Sequence, residues 1–314
     1  MSRTDKIPLL VLSGPTAGGK TALSVALARQ LGAQIICADS MQVYQDLYIG
    51  TARPTPEEMG EVPHHLFGIL PLQQAFSVAA YAALAHQTIR QVAKAGALPL
   101  LCGGTGLYIQ AVTENITYTP QPSDPVVRTA LLQQWQRQGP DAMLEQLRQV
   151  DPETAARLHR NDRTRIIRAL EIYRTTGITQ ARQNQLSRQN PSPYDVCHIT
   201  LDYRDRQILY DRIDRRVDEM MRQGLEREAR AFFAVPDAST AAQAIGYKEL
   251  RAYFDGEISR EQAVARLKQA TRRYTKRQLC WFRHMPGVRT LYCDDYAAPE
   301  ALTQAALDLV GFDT

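Results

Sequence analysis

The segment 14–21 has the residue types and spacing of a loop that binds phosphate. It reads Gly-Pro-Thr-Ala-Gly-Gly-Lys-Thr and fits the pattern G-x-x-x-x-G-K-[S/T]. An apolar run suited to a buried strand precedes it at 9–12, and 21–29 carries apolar residues at helical spacing. Such a strand, loop and helix direct backbone N–H groups and the positive end of a helix dipole at one point. Lys20 adds a positive charge and Thr21 a hydroxyl that can bind Mg²⁺, so a phosphate site is favoured over a plain glycine-rich turn.

Asp39 directly follows the second predicted strand, 34–38. Ligands of an open parallel sheet bind beyond the carboxyl ends of its strands, so Asp39 is expected to face the crevice of the phosphate loop. A carboxylate there can accept a proton from an attacking nucleophile. The alternative is a helix N-cap or an Asx turn, which Asp-Ser commonly forms after a strand. Its position favours catalysis.

The third predicted strand, 98–102, is followed by Gly103-Gly104-Thr105-Gly106. These glycines permit close approach of the backbone to a ligand, and Thr105 could hydrogen-bond it; a plain strand-to-helix turn is an equal alternative. A P-loop ATPase normally places a Mg²⁺-orienting carboxylate at the end of a neighbouring strand. This strand ends in cysteine and glycines instead, which argues against an ordinary ATPase.

Arg212 and Arg216 are four residues apart, and they share one face of a predicted helix. Two arginines so placed could clamp a diphosphate. Aspartates are interleaved at 211, 214 and 218, so a solvated, salt-bridged helix is an equal alternative.

Basic residues concentrate at 161–168 and again at 271–283. In the second segment they form one stripe, which we call the basic stripe: Arg272, Arg273, Lys276 and Arg277. Tyr274, Leu279 and Trp281 lie nearby for packing or base stacking. Charged runs are usually solvated faces, but two of them on either side of a phosphate crevice suit a groove that follows a nucleic-acid backbone.

Short apolar runs alternate with helical patterns in the first third of the chain, which predicts βαβ units and a parallel sheet with helices on both faces. From about 120 the pattern changes to consecutive helices rich in Gln, Arg and Leu, and a strand resumes at 196–201, followed by long helices to about 284. The predicted fold is an α/β, P-loop NTPase-like core with a parallel sheet flanked by helices. The core spans 1–119 and 196–314, and a small all-helical insertion domain spans 120–195.

The composition is that of a soluble globular protein, with 44% hydrophobic and 22% charged residues in 314. No apolar stretch has the length of a membrane span, and the first residues show neither a signal core nor a transit segment. Five scattered cysteines without a C-x-x-C pair argue against a disulfide framework or a zinc site and favour a reducing cytoplasm. The net charge of +4 does not by itself indicate a nucleic-acid partner.

Eight blocks, in one order along nearly the whole chain, resemble the tRNA dimethylallyltransferases, also called tRNA isopentenyltransferases. The blocks are Gly14–Thr21, Asp39–Tyr44, Ile49–Pro54, Pro63–Leu66, Gly103–Tyr108, Asn161–Glu171, Gln243–Glu249 and Arg272–Arg283. One departure is Gly18, where the family usually has serine. The C-terminal zinc finger of eukaryotic members has no counterpart in the cysteines and histidines here, so the chain is similar to the shorter bacterial form.

This resemblance implies transfer of a dimethylallyl group from dimethylallyl diphosphate to the exocyclic N6 amine of the adenosine 3′-adjacent to the anticodon of tRNA, with release of diphosphate. A phosphate loop without an ATPase carboxylate then makes sense, because the bound diphosphate is the leaving group. Asp39 is implied as the base, and Mg²⁺ is the implied cofactor, bound at Thr21. The implied catalytic set also includes Lys20 and Thr105 together with Arg212 and Arg216, of which one binds phosphate. The implied donor-binding residues are Gly14, Pro15, Thr16, Ala17, Gly18, Gly19, Lys20 and Thr21.

The implied partners are the tRNA anticodon stem-loop and dimethylallyl diphosphate, with no membrane and a monomeric protein. The insertion would clamp the anticodon stem. Residues implied or proposed to contact tRNA are Asp39, Ser40, Met41, Gln42, Thr105, Arg128, Arg163, Thr164, Arg165, Ile166, Ile167, Gln243, Ala244, Ile245, Gly246, Tyr247, Lys248, Glu249 and the four residues of the basic stripe.

Two rival interpretations differ in what they require. A small-molecule kinase of the shikimate-kinase type also has a phosphate loop and an Asp past its second strand, but it needs a lid with an adenine-stacking arginine and has no use for two basic helices. A non-catalytic P-loop module that binds RNA needs the magnesium-orienting carboxylate that this chain lacks, and it leaves Asp39 without a role.

Overall fold

The computed structural model describes residues 6–118, 124–236, 241 and 244–311. The chain forms two compact units, one of Met1–Thr113 with Ser192–Thr314 and the other of Glu114–Pro191. The expected insertion bounds, 120 and 195, each lie a few residues C-terminal of the bounds of the second unit.

In its described residues, the first unit contains a six-stranded parallel sheet with the order β3-β2-β4-β1-β5-β6. The strands are β1 (Ile7–Ser13), β2 (Ala33–Cys37), β3 (His64–His65), β4 (Leu98–Gly103), β5 (Tyr194–Asp202) and β6 (Val288–Tyr292). The central strand β1 pairs with β4 and β5, for example through Leu10 opposite Leu100 and Cys197. The predicted parallel sheet is thereby confirmed.

Helices cover both faces of this sheet. Within the described ranges the α-helices are α1 (Lys20–Leu31), α2 (Pro56–Met59), α3 (Val78–Lys94), α4 (Gly106–Thr113), α5 (Pro125–Val150), α6 (Pro152–Ala156), α7 (Arg163–Thr176), α8 (Gln180–Ser187), α9 (Arg206–Gln223), α10 (Leu225–Phe233), α11 (Arg251–Phe254), α12 (Arg260–Arg283) and α13 (Pro299–Asp308).

Alternate residues of β1 supply two separate cores, because successive strand side chains point to opposite faces. Leu9 and Val11 join a large cluster with residues of α3, α4, α9, α10 and α12. Leu10 and Leu12 join a smaller cluster with residues of α1 and α13. The carboxyl end of β1, which leads into the phosphate loop, therefore lies between these two clusters.

The second unit, Glu114–Pro191, is helical throughout its described residues and contains α5 to α8. Gly139, with φ of 78°, and Pro140 break α5, so its halves form two helices. The core includes Leu131, Met143 and Ile166. The fully buried carboxylate of Glu171 accepts hydrogen bonds from Arg128 and Arg168 at 3.1 and 3.0 Å.

Four strands differ from the prediction only at their ends, being Ile7–Ser13, Ala33–Cys37, Leu98–Gly103 and Tyr194–Asp202. The sequence did not predict β3 and β6, because β3 has two residues and β6 reads Val-Arg-Thr-Leu-Tyr, which carries little apolar signal. Among the described residues, no helix combines the length and apolarity that crossing a bilayer requires.

Candidate active site

The phosphate loop joins β1 to α1 at the carboxyl end of the sheet. Gly14 has φ of 151°, and a Cβ there would lie 3.0 Å from the Cβ of Leu201 on the neighbouring strand. Gly19, with φ of 93°, immediately precedes the first turn of α1. Both backbone conformations favour glycine, and together they turn the chain so that the N-terminus of α1 opens onto a cavity of about 610 Å³.

Lys20 lies in this cavity beside the loop. Its Nζ donates to the carbonyl oxygens of Gly14 at 3.1 Å and Pro15 at 2.7 Å. The pKa of Lys20 is lowered to about 8, mainly by desolvation and also by the nearby guanidinium of Arg216, against the opposing effects of Cys102 and Asp39. An anion placed here would restore the charged form.

The two arginines of α9, Arg212 and Arg216, share one helix face as predicted, but they make different contacts. The Nε of Arg212 donates to the carbonyl oxygen of Ala17 at 2.9 Å, so this residue braces the phosphate loop. Arg216 lines the cavity, and its Nε is sealed from solvent without an acceptor among the described residues. Desolvation lowers the pKa of Arg216. A buried cationic group with an unmatched donor fits an anionic ligand.

Asp39 lines the same cavity, two residues after the end of β2. Its Oδ1 accepts from the backbone N–H of Met41 at 2.9 Å and of Gln42 at 3.4 Å. The Asx-turn alternative is thus realised, and it fixes the carboxylate rather than removing it from the cavity. Thr105 accepts from the N–H of Ser40 at 3.0 Å through Oγ1, which holds the ends of β2 and β4 together.

The glycines at the end of β4 and just after it make room for other parts of the protein, which favours the alternative of a plain strand-to-helix turn. An added Cβ would lie 2.2 Å from the carbonyl oxygen of Ala38 at Gly103, 2.3 Å from Nε2 of Gln278 at Gly104, and 2.3 Å from Cδ1 of Trp281 at Gly106. These three positions therefore bring β2 and α12 against the end of β4.

A second loop of the cavity, 48–52, is held by a carboxylate that sequence reasoning missed. Glu228 accepts from the N–H groups of Tyr48, Ile49 and Gly50 at 2.9 to 3.1 Å, and from the hydroxyl of Tyr247 at 2.6 Å. No local motif announces this contact, because the partners are about 180 residues apart. Gln42 adds bonds from Nε2 to the carbonyls of Thr51 and Ala52.

The apolar part of the cavity was also not predicted. It is lined by Ile213, Val217, Met220, Ile245 and Leu267, which come from α9, α12 and the segment before α11. Ile213, Val217 and Leu267 are also buried core residues, and the sequence pattern of all five is that of ordinary core positions. They place an apolar surface beside the phosphate loop.

The predicted RNA contacts on 243–249 divide by exposure. Lys248 is exposed, and Ile245 and Glu249 are partly exposed. Gly246, Ala244 and Tyr247 are buried, so these residues support the segment, and their contact with RNA stays a prediction. Gln243 lies outside the described residues.

The basic stripe on α12 is present, with one of its charges engaged. Arg272 forms an ion pair with Asp214. Arg273, Lys276 and Arg277 are exposed, and the last two lie over the rings of Tyr210 and Tyr274. Leu279 is buried, so it packs rather than stacks on bases.

In the helical unit, α7 presents its N-terminal residues to solvent. Arg163, Thr164 and Arg165 are exposed. Ile166 and Ile167 are buried in the core of that unit. Their side chains therefore do not face RNA, although the resemblance implies RNA contact at these two positions. Arg128, also expected to contact RNA, is partly exposed and bonded to Glu171.

No group of three or more His, Cys, Asp or Glu side chains able to hold a metal occurs within the described ranges. Thr21 lines the cavity next to Lys20. One hydroxyl together with phosphate oxygens fits Mg²⁺, which usually keeps several waters and takes few protein ligands.

Comparisons with known proteins find relatives that match most of the chain. The family model described as IPP transferase matches residues 42–285. The tRNA dimethylallyltransferase of Symbiobacterium thermophilum is 47% identical and covers 97% of this chain and 94% of its own length, and that of Bacillus subtilis is 47% identical over 89% and 88%.

Solved structures give the same result. The full-length tRNA isopentenylpyrophosphate transferase of Bacillus halodurans aligns with a TM-score of 0.72 at 39% identity, over 97% of both chains. A eukaryotic dimethylallyltransferase, studied while acting on tRNA, aligns with a TM-score of 0.77 at 26% identity over 95% of this chain and 77% of its own. The resemblance inferred from the sequence is confirmed, and this chain belongs to the IPP transferase family.

Proposed function

We propose that this protein transfers a dimethylallyl group from dimethylallyl diphosphate to the N6 amine of the adenosine 3′-adjacent to the anticodon of tRNA. The observation that carries the proposal is that a phosphate loop, a buried arginine and the Asp39 carboxylate line one cavity that also has an apolar side. That combination suits a substrate with a diphosphate and a short hydrocarbon chain, attacked by a nucleophile that loses a proton.

In this reaction the bond from carbon to the diphosphate oxygen breaks while a bond from carbon to N6 forms. The amine of adenine is conjugated to its ring and is a weak nucleophile, so the rate depends on positioning and on stabilising the departing diphosphate. The N–H groups of the phosphate loop, Lys20 and Arg216 supply that stabilisation. Arg212 keeps the loop in shape through Ala17.

Asp39 serves as the base that removes the N6 proton. Its Oδ1 is held by the N–H groups of Met41 and Gln42, so the carboxylate keeps a fixed direction. Thr105 supports it from β4 through the N–H of Ser40. The adenosine must leave its stack to reach this carboxylate, which implies base flipping from the anticodon loop.

Thr21 would hold Mg²⁺ together with oxygens of the donor diphosphate. The ion would neutralise charge on the leaving group when bound. The residues described above orient the donor, exclude water and accept the proton.

RNA binding is assigned to exposed basic residues on both units. On the first unit these are Arg273, Lys276, Arg277 and Lys248. On the helical unit they are Arg163 and Arg165, and the partly exposed Arg128 has the same proposed role. We place the helical unit on the anticodon stem as a clamp that binds mainly backbone phosphates. We further propose that the protein acts as a monomer, in the cytoplasm, which suits its free cysteines at 37, 102, 197, 280 and 293.

The test is transfer of labelled dimethylallyl diphosphate, with Mg²⁺ and without ATP, into unmodified tRNA whose anticodon is followed by adenosine. We expect label in the tRNA, and its loss when that adenosine is changed to guanosine. Folded protein that incorporates no label but hydrolyses ATP would contradict the proposal and favour the small-molecule kinase.

A further inference from the structure

Gln278 lies within the basic segment of α12, yet its side chain points inward and is 5% exposed. Its Oε1 accepts from the N–H of Thr16 at 2.9 Å, and its Nε2 donates to the carbonyl oxygen of Gly104 at 2.9 Å. A backbone N–H can only donate and a carbonyl can only accept, so the two partners fix the orientation of the amide. One side chain thus ties the phosphate loop to the end of β4.

The same side chain reaches the Asp39 side of the cavity. The hydroxyl of Tyr274, one turn earlier on α12, interacts with the side chains of Thr105 and Gln278. Thr105 in turn accepts from the N–H of Ser40, the residue after Asp39. Gly104, to which Gln278 is bonded, is followed by Thr105, so the hydrogen bonds of Gln278 and Thr105 link Thr16 in the phosphate loop with the segment that carries the base.

The backbone makes room for this amide. At Gly104, an added Cβ would lie 2.3 Å from Nε2 of Gln278, well inside van der Waals contact. The bond from Gln278 to Gly104 and the absence of a side chain at position 104 are therefore matched. The Oε1 and the Nε2 of the amide are thus both engaged by backbone groups of the two loops.

We propose that Gln278 is a positioning residue for group transfer, which sets the distance between the phosphate loop and the segment bearing Asp39. The inference rests on the proposed function, because the loop holds the leaving group and Asp39 the nucleophile only in that reaction. Gln278 touches neither reacting atom. Small displacements of reacting groups strongly reduce rate, so a loosened amide should affect kcat more than RNA affinity.

The first experiment compares Gln278→Met with Gln269→Met, an exposed glutamine on the same helix. Methionine keeps the volume and removes both hydrogen bonds. We expect Gln278→Met to lower kcat by about tenfold or more, with tRNA affinity within about twofold of wild type, and Gln269→Met to change neither. Equal kcat in the two variants would overturn the proposal.

The second experiment uses Gln278→Glu, whose protonated form can donate and accept like the native amide. The ionised form loses the donor and opposes the Gly104 carbonyl, and burial favours protonation. We expect kcat relative to wild type to rise about tenfold as pH falls from about 8 to about 6, in protein shown to be folded at both values. A ratio that does not change with pH means that the side chain only fills space.

The third experiment combines Gly104→Ala with Gln278→Ala. If the amide is the group that the new methyl displaces, Gly104→Ala lowers kcat in the wild-type background and has little further effect beside Gln278→Ala. Multiplicative losses of kcat in the double variant would overturn the assignment.

Binding of inorganic diphosphate by the same variants distinguishes failure of the proposed function from failure of the role proposed for Gln278. Wild type that binds it but transfers no label contradicts the proposed function, and the loop contact is then judged by whether Gln278→Met weakens diphosphate binding.

Discussion

At the scale of single residues, the positive charges around the phosphate loop are not equivalent. Lys20 has a pKa lowered to about 8 by desolvation, so a fraction of it is neutral near neutral pH. Arg216 is also desolvated but remains charged, because the guanidinium group is a far stronger base. The Nε of Arg212 donates to the carbonyl oxygen of Ala17. Donor affinity should therefore depend on pH through Lys20 alone among the three.

We predict that affinity for inorganic diphosphate weakens as pH rises through about 8, by up to about tenfold per unit above that value. The sign follows from the charge, because the anion binds the protonated amine and binding raises its pKa. Calorimetric titrations between about pH 7 and about pH 9.5 measure the effect. Lys20→Arg, which stays charged, should remove the dependence, and a wild-type affinity that does not vary with pH would contradict it.

Asp39 is predicted to act on rate rather than on RNA affinity. Asp39→Ala should lower single-turnover transfer by about 10²- to 10⁴-fold, because it removes the base. The dissociation constant for tRNA should change little, since the site depends on many phosphate contacts. Asp39→Asn keeps the shape and the acceptor for Met41, and should lose a similar amount of rate. Near-normal transfer by either variant would exclude Asp39 as the base.

At the scale of elements, the cavity is formed by loops that distant carboxylates and amides hold in place. Glu228 on α10 binds three consecutive N–H groups of the loop at 48–50 and the hydroxyl of Tyr247. An added Cβ at Gly50 would lie 2.6 Å from the ring of Tyr247, so these segments are in close contact. The loop conformation therefore depends on one acidic side chain.

We predict that Glu228→Gln lowers the free energy of unfolding by about 1–3 kcal/mol, because its amide nitrogen cannot accept from the N–H groups of the loop. Urea unfolding measures the change. Glu226→Gln on the same helix is the control, since Glu226 pairs with the exposed Arg260 and the variant should lose less than about 1 kcal/mol. Equal losses in the two variants would mean that the contact of Glu228 with the loop contributes no more stability than the ion pair of Glu226.

The sequence predicts those parts of the site that are contiguous. The segment 14–21 is recognisable because its glycines, lysine and threonine are local requirements of one turn. Gln278 is not recognisable, because its partners lie 262 and 174 residues away. Arg212 and Arg216 share a helix face, so their difference appears only when the packing shows which guanidinium braces the loop.

At the scale of the whole molecule, the fold class was predictable and the exposure of individual residues was less so. Alternation of strands and helices specifies a parallel sheet. In contrast, Ile166 and Ile167 belong to a block that the resemblance assigns to RNA, yet helical periodicity places them in the core. The residues of such a block share a helix, and only those on its exposed face can contact a partner.

We predict that the basic stripe contributes through long-range charge. Arg273→Glu combined with Lys276→Glu should weaken tRNA binding and reduce the slope of log affinity against log salt by about 1–2. Arg90→Glu with Lys94→Glu, an equal reversal of exposed charges on α3, is the control and should have a smaller effect. Filter binding over a range of salt concentrations measures both. Equal changes would mean that net charge, rather than the stripe, determines affinity.

The ends of the helical unit have a consequence for how such a protein can arise. Asn115 donates to the carbonyl of Pro191 at 3.0 Å, and the N–H of Thr117 donates to the carbonyl of Ser187 at 2.8 Å. The chain thus returns to nearly the point at which it departed, as at sites where domain insertion is tolerated. A short turn could join 113 to 192 without stretching the sheet. We expect the helical unit to behave as an exchangeable module, whose replacement would alter RNA recognition under the proposed function.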